Sequence, residues 1–87
     1  MYNVILSPDA QEFFEEASES LQRRIDRCFE QLKVNPRSHP NIKPLKGNFA
    51  GLYRYRVGNY RVIYYIVDEP DFQVRVSAIA PRSEVYE

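Results

Sequence analysis

The sequence predicts an α+β domain with the element order β-α-α-β-β-β, a twisted antiparallel sheet covered on one face by a helical hairpin. Three observations carry that expectation. Apolar residues recur at helical spacing between Ala10 and Leu32. The stretch from Leu52 to Ile79 instead reads as three strand-like runs. Two of those runs are joined by Gly58-Asn59, a two-residue connection of the kind that closes a hairpin. With 87 residues the chain is expected to form one domain over its whole length, residues 1–87.

Met1–Leu6 reads as a short strand through Val4, Ile5 and Leu6. Ser7-Pro8-Asp9 then starts a helix: Ser7 caps free backbone N–H groups and Pro8 suits the first helical position. Asp9 and Glu12 fall in the first turn, where the helix dipole favours acids. Ala10, Phe13, Phe14 and Ala17 form one apolar face, and Ser18-Glu19-Ser20 breaks or bends the pattern. Leu21, Ile25, Cys28, Phe29 and Leu32 resume it, so a helical hairpin or one bent helix ends near Asn35-Pro36. Cys28 lies on the apolar stripe and reads as a buried thiol. Residues 35–50 contain Pro36, Pro40, Pro44 and Gly47 and read as a loop, with His39 in solvent. Leu52–Val57, Tyr60–Val67 and Phe72–Ile79 are the remaining strands, followed by a short tail, Ala80–Glu87.

Composition narrows the function. Hydrophobic residues make up 44% and charged residues 28%, which is ordinary for a soluble globular chain. Seven Tyr and five Phe are too many for a disordered tail. A single Cys excludes an internal disulfide and a Cys-based zinc site, and a single His excludes a multi-histidine metal centre. No apolar run approaches the roughly 18–20 residues of a membrane span, and no charged-then-apolar leader opens the chain. A cytoplasmic protein without a cofactor is the expectation. The net charge is zero, yet it is unevenly spread. Residues 1–42 carry five basic and seven acidic side chains, and residues 43–87 carry seven and five. Lys43, Lys46, Arg54, Arg56 and Arg61 follow one another with no acid between them. A local basic patch of this kind binds phosphates even on a neutral molecule.

The Gly58-Asn59 turn suits type II′ geometry and fixes the hairpin register. Val57 then faces Tyr60, Arg56 faces Arg61 and Arg54 faces Ile63. Alternation sends Arg54, Arg56 and Arg61 to one face and Tyr53, Tyr55, Val57, Tyr60, Val62, Tyr64 and Ile66 to the other. Directly opposed like charges disfavour a sheet, and no acid on these strands relieves them. Guanidiniums that converge on one point make a phosphate or carboxylate site. Whether Arg75 joins that face depends on the register of the last strand, which the Asp68-Glu69-Pro70-Asp71 connection leaves open.

Three segments, PLKG, YRYRVGNYRVIYYI and the C-terminal RSEVY, follow the two helices in an order that resembles the RelE toxins of the RelE/ParE toxin–antitoxin superfamily. The resemblance covers essentially the whole chain. It implies the RelE/ParE-like fold of microbial ribonuclease type and a toxin that cleaves mRNA in the ribosomal A site, inhibiting translation. In that reaction the ribose 2′-OH attacks the adjacent phosphate and leaves a 2′,3′-cyclic phosphate and a 5′-OH, with no metal. By the same resemblance Arg54 and Arg56 fall at two basic positions of the first hairpin strand, Arg61 after the turn, Arg82 after the last strand, and Tyr86 in the tail. The best-known relative carries lysines at the first two positions. Arginine stays charged, so a proton-accepting role there is doubtful, and Tyr86 is the polar group left to orient or deprotonate the 2′-OH. Lys43, Lys46 and Arg75 are the further residues expected to contact RNA.

The partners implied are a cognate antitoxin encoded nearby, the ribosome and mRNA, with operator DNA bound by the toxin–antitoxin complex through the antitoxin. Other readings stay open. A ParE-like inhibitor of DNA gyrase would share the fold without nuclease activity, although that branch generally lacks the Arg82/Tyr86 pair. A degenerate relative would bind only its antitoxin or DNA. Without the resemblance, the residues describe a small anion-binding module.

Overall fold

The computed structural model describes residues 1–85. Strand β1 (Asn3–Leu6) leads into helices α1 (Pro8–Glu16) and α2 (Glu19–Val34). A short strand, β2 (Ile42–Pro44), and a 3-10 turn at Gly47–Phe49 precede β3 (Tyr53–Val57), β4 (Tyr60–Val67) and β5 (Gln73–Pro81). A second 3-10 turn, Arg82–Glu84, follows. The α+β class and the pair of helices agree with the expectation.

Local signals explain the helices. Ser7 Oγ accepts the Ala10 amide at 3.1 Å, and its hydroxyl donates to Ser77 O at 2.8 Å, so one side chain caps α1 and ties it to β5. Pro8 stands in the first turn. The chain is extended at Ala17 and Ser18, where Ser18 Oγ accepts the Leu21 amide and starts α2. The bend is thus a true break, which gives two helices. Asn35 closes α2, and its side-chain oxygen accepts the Arg37 and Ser38 amides.

Two expectations about the sheet are corrected. It has five strands in the order β1-β5-β4-β3-β2, and β1 pairs with β5 in parallel, Asn3 opposite Gln73 to Leu6 opposite Val76. The sheet is therefore mixed. Hairpin turns impose an antiparallel sense only on consecutive strands, and two helices separate β1 from the rest. The second correction is β2 itself, which lies in the stretch read as a loop and pairs with β3. Three residues ending in proline are too short to show a period.

Ala10, Ile25, Cys28 and Leu32 of the helices pack on Tyr55, Val57, Val62, Tyr64, Val74, Val76 and Ile79 of the sheet. Tyr64 is fully buried and donates its hydroxyl to Pro36 O at 2.7 Å, and burial pushes its phenol up from the ordinary value. Cys28 is 1% exposed, and burial raises its thiol in the same way. It is the inert, packed cysteine that its spacing predicts. At the sheet edge beside β1, Arg37 grips Asp68 with both nitrogens (3.2 and 2.8 Å), and Tyr2 donates to the same carboxylate at 2.7 Å. This clasp joins the start of the chain, the loop after α2 and the β4–β5 connection.

Candidate functional site

The β3–β4 turn organises the site. Gly58 has φ of +57° and Asn59 does not share the positive sign, which is the type II′ pattern. Pairing follows the expected register: Arg56 opposite Arg61, Arg54 opposite Ile63 and Val57 opposite Tyr60. Lys43 on β2 pairs with Arg54 and shares its face.

The guanidiniums on that face have different environments. Arg61 is only 4% exposed, and its Nη1 donates to Gly58 O at 3.0 Å and Tyr60 O at 3.1 Å, folding back onto the turn. Arg54 is half-buried and donates from Nη1 to Asn41 O at 2.6 Å. Arg56 is exposed. Arg82 is exposed as well, and its backbone amide donates to Asn59 O at 2.8 Å, which seats the C-terminal 3-10 turn against the hairpin turn. Arg61 and Arg82 thus meet at one turn, Arg54 reaches toward β2, and Arg56 stands at the outer edge of β3. Tyr86 lies outside the described residues.

The remaining basic residues are spread more widely. Lys43 and Lys46 are exposed, the latter at the start of the first 3-10 turn. Arg75 pairs with Tyr65, four residues along β4 from Arg61, or roughly 13 Å at ~3.3 Å per residue. It shares the open face because Ser77 is left unmatched between the pairs Ile63–Ala78 and Tyr64–Val76. Without that bulge Arg75 would oppose Ile66 and point into the core. It lines a hollow of about 450 Å³ with Tyr65 and Ser77, apart from the turn.

Two features were missed in the sequence. Leu45, Phe49, Leu52, Ile63, Ala80 and Val85 line an apolar hollow of about 220 Å³ on the open face, with Glu84 at its edge. On the helix side, Arg24 and Arg27 of α2 line a second hollow of similar size with Asn41 and the end of β3, residues 55–58. The three-residue interval between Arg24 and Arg27 puts both on one helix face, which was the available signal. The acidic balance of the first half of the chain hid it. His39 is half-buried rather than in open solvent: its ring stacks on Tyr55 at 5.1 Å and its Nδ1 accepts the Asn41 amide at 3.0 Å. Among the described residues no three His, Cys, Asp or Glu side chains gather where a metal ion would sit, and no helix is long and apolar enough to cross a membrane.

The family model for the ParE toxin of type II toxin–antitoxin systems (parDE) matches residues 4–86. The chain belongs to this family. The toxin also shares its fold with solved relatives. An archaeal RelE–RelB complex from Pyrococcus horikoshii matches at 25% identity and a TM-score of 0.79, covering 97% of this chain and 98% of the other. The RelBE2 toxin–antitoxin complex of Mycobacterium tuberculosis matches at 23% identity and 0.77, covering 93% and 98%. A YoeB/ParE toxin from Agrobacterium tumefaciens matches at 18% identity and 0.79, covering 91% and 96%. No curated protein sequence matches the toxin. The protein is thus a type II toxin of the RelE/ParE/YoeB superfamily.

Proposed function

We propose that the toxin is a ribosome-dependent endoribonuclease that cuts mRNA in the A site. The observation that carries this reading is the gathering of arginines at the β3–β4 turn, on two strands that hold no acid. In the proposed reaction the 2′-OH loses its proton and attacks the adjacent phosphate. The bond to the 5′-oxygen then breaks, and that oxygen takes up a proton. The phosphorane between these events carries extra negative charge. Fixed cations held in place before reaction stabilise it.

In this reading the labour is divided among the arginines. Arg56 and Arg82 are exposed and reach a bound phosphate. Arg61 is fixed by two turn carbonyls, so it contributes a positive field and the shape of the turn. Arg54 does the same through Asn41 O. Lys43, Lys46 and Arg75 extend the basic surface for RNA at greater distance. Tyr86 is assigned the orientation or deprotonation of the 2′-OH. The ribosome supplies the remaining alignment, and an antitoxin that covers the turn silences the toxin.

A second reading has one observation in its favour, the ParE description of the matching family. In it the toxin binds DNA gyrase and cuts no RNA. Primer extension on a messenger in a reconstituted translation reaction separates the two. Cuts within A-site codons that require ribosomes are expected. Intact messenger together with loss of gyrase supercoiling would transfer the assignment to the second reading.

A further inference from the structure

We propose that the apolar hollow beside the β3–β4 turn holds one unstacked base of the messenger, and that the Glu84 carboxylate at its edge selects guanine. The proposal rests on the ribonuclease reading, and it adds what such an enzyme reads beside the cut.

The hollow lies on the face that carries the hairpin arginines. Its floor is Ile63, Ala78 and Ala80. In the strand ladder Ile63 stands between Arg54 and Ala78, and Ala80 stands opposite Arg61. A nucleotide whose phosphate meets the arginines therefore has its base within reach of the hollow. Leu45 and Leu52 supply a wall, and the Leu45 amide donates to Leu52 O at 2.9 Å. The Leu52 amide donates in turn to Phe49 O at 3.1 Å, so the wall is built before any ligand arrives. Phe49, 43% exposed, adds an aromatic ring to the lining. The space is about 220 Å³. That is below the roughly 300–1,000 Å³ of clefts for drug-sized ligands and suits one flat ring system.

Among the described residues that line the hollow, Glu84 alone is charged. It stands two positions after Arg82 in the same 3-10 turn, which the Arg82 amide fastens to Asn59 O. Its side chain is exposed, and among the described residues no lysine or arginine pairs with its carboxylate. An apolar slot with one polar group at its edge matches a nucleobase, which has flat apolar faces and a hydrogen-bonding rim. A carboxylate only accepts hydrogen bonds. Guanine offers two donors side by side, the ring N1–H and the N2 amino group. Adenine and cytosine offer a single amino group, and uracil a single ring N–H. Guanine is therefore the base that engages both carboxylate oxygens. An apolar side chain of a protein partner would fill the slot and leave Glu84 without a role. The arginines beside the slot also call for a phosphate on the same ligand.

The test titrates 2′-deoxyguanosine 3′,5′-bisphosphate, which has no 2′-OH and cannot be cleaved, into isotope-labelled toxin by NMR. The methyl signals of Leu45, Leu52, Ile63 and Ala80 are expected to shift with it. The base-free deoxyribose 3′,5′-bisphosphate is expected to move the arginine side-chain signals and leave those methyls in place. The inosine counterpart lacks only the N2 amino group and is expected to bind about 10-fold more weakly than the guanine nucleotide. Glu84→Gln should keep the urea midpoint and bring the two affinities together. Glu16→Gln, exposed on α1, leaves the 10-fold difference intact. Unmoved methyls once the arginine shifts saturate would overturn the proposal. Equal affinity for the two nucleotides in the wild type, or an unchanged difference in Glu84→Gln, would overturn it too. So would methyl shifts produced by a leucine-rich peptide and not by the guanine nucleotide, because the occupant would then be a protein. The ribosomal cleavage reaction keeps the two ideas apart. Cleavage together with equal affinity for the two nucleotides removes this pocket and leaves the ribonuclease reading standing. Guanine-selective binding without any cleavage supports the pocket and removes the reading.

Discussion

The two faces of the β3–β4 hairpin share a backbone and little else. On the helix side, Tyr55, Val57, Val62 and Tyr64 are apolar or aromatic and buried. On the open side stand Arg54, Arg56 and Arg61, graded from exposed to buried. Alternation separates the two sets residue by residue, so a substitution on one face is felt mainly as stability and on the other mainly as activity. Arg61 crosses that division. It sits on the open face yet is buried and bonded to the turn, so in the proposed reaction it serves the structure as much as the chemistry.

The largest effect is expected from breaking the covered face. Ile25→Ala empties a fully buried position and should cost about 2–5 kcal/mol of stability, read from a shifted urea midpoint. A domain this small has little reserve, so a fraction of the chains should unfold at room temperature. On the open face Arg56→Ala and Arg82→Ala should leave the urea midpoint within about 0.5 kcal/mol. Each should slow ribosomal cleavage by about 10²–10³. Arg61→Ala should lose both stability and activity, and that joint loss would confirm its double role; loss of activity alone would refute it.

Gly58→Ala tests the turn on which both faces depend. The positive φ alone costs an alanine about 1–2 kcal/mol, and the added methyl displaces the Arg24 guanidinium. The urea midpoint should fall.

The smallest effect concerns the clasp at the far edge. Hydrogen bonds from Arg37 and then Tyr2 hold the Asp68 carboxyl below the usual carboxylate range. A lowered folded-state value means that the clasp stabilises fully above the unfolded value. That contribution fades as pH falls below about 4. Asp68→Asn should flatten the acid limb of a stability-against-pH curve and leave cleavage at neutral pH unchanged. An identical acid limb in the variant would show that the clasp adds nothing.

Elements marked by local chemistry were legible in the sequence. Ser7-Pro8 announces α1, Ser18 the break before α2, and Gly58-Asn59 the hairpin and its register. What was not legible depends on contacts distant in sequence. The parallel pairing of β1, the three-residue β2 and the bulge at Ser77 leave no local signature, and the bulge alone decides the face of Arg75. The shared face of the arginines followed from alternation, but the direction of each guanidinium did not. Carbonyls at Gly58, Tyr60 and Asn41 decide that, and they come together only in the folded chain. Arg24 and Arg27 share one helix face by their spacing, but the strand end they lie against, residues 55–58, comes from a distant part of the chain.

The parallel union of β1 and β5 also sets the order of events when the chain is made. Residues 3–6 have no strand partner until residues 73–76 exist. At about 5–20 residues per second, translation of the 66 residues between them takes roughly 3–13 s. Throughout that interval the first strand waits, α1 lacks the Ser77 carbonyl that anchors its cap, and the turn beside Arg61 lacks the Arg82 amide. The nascent chain therefore lacks both the parallel edge of its sheet and the tie behind its hairpin turn until its last strand has been made.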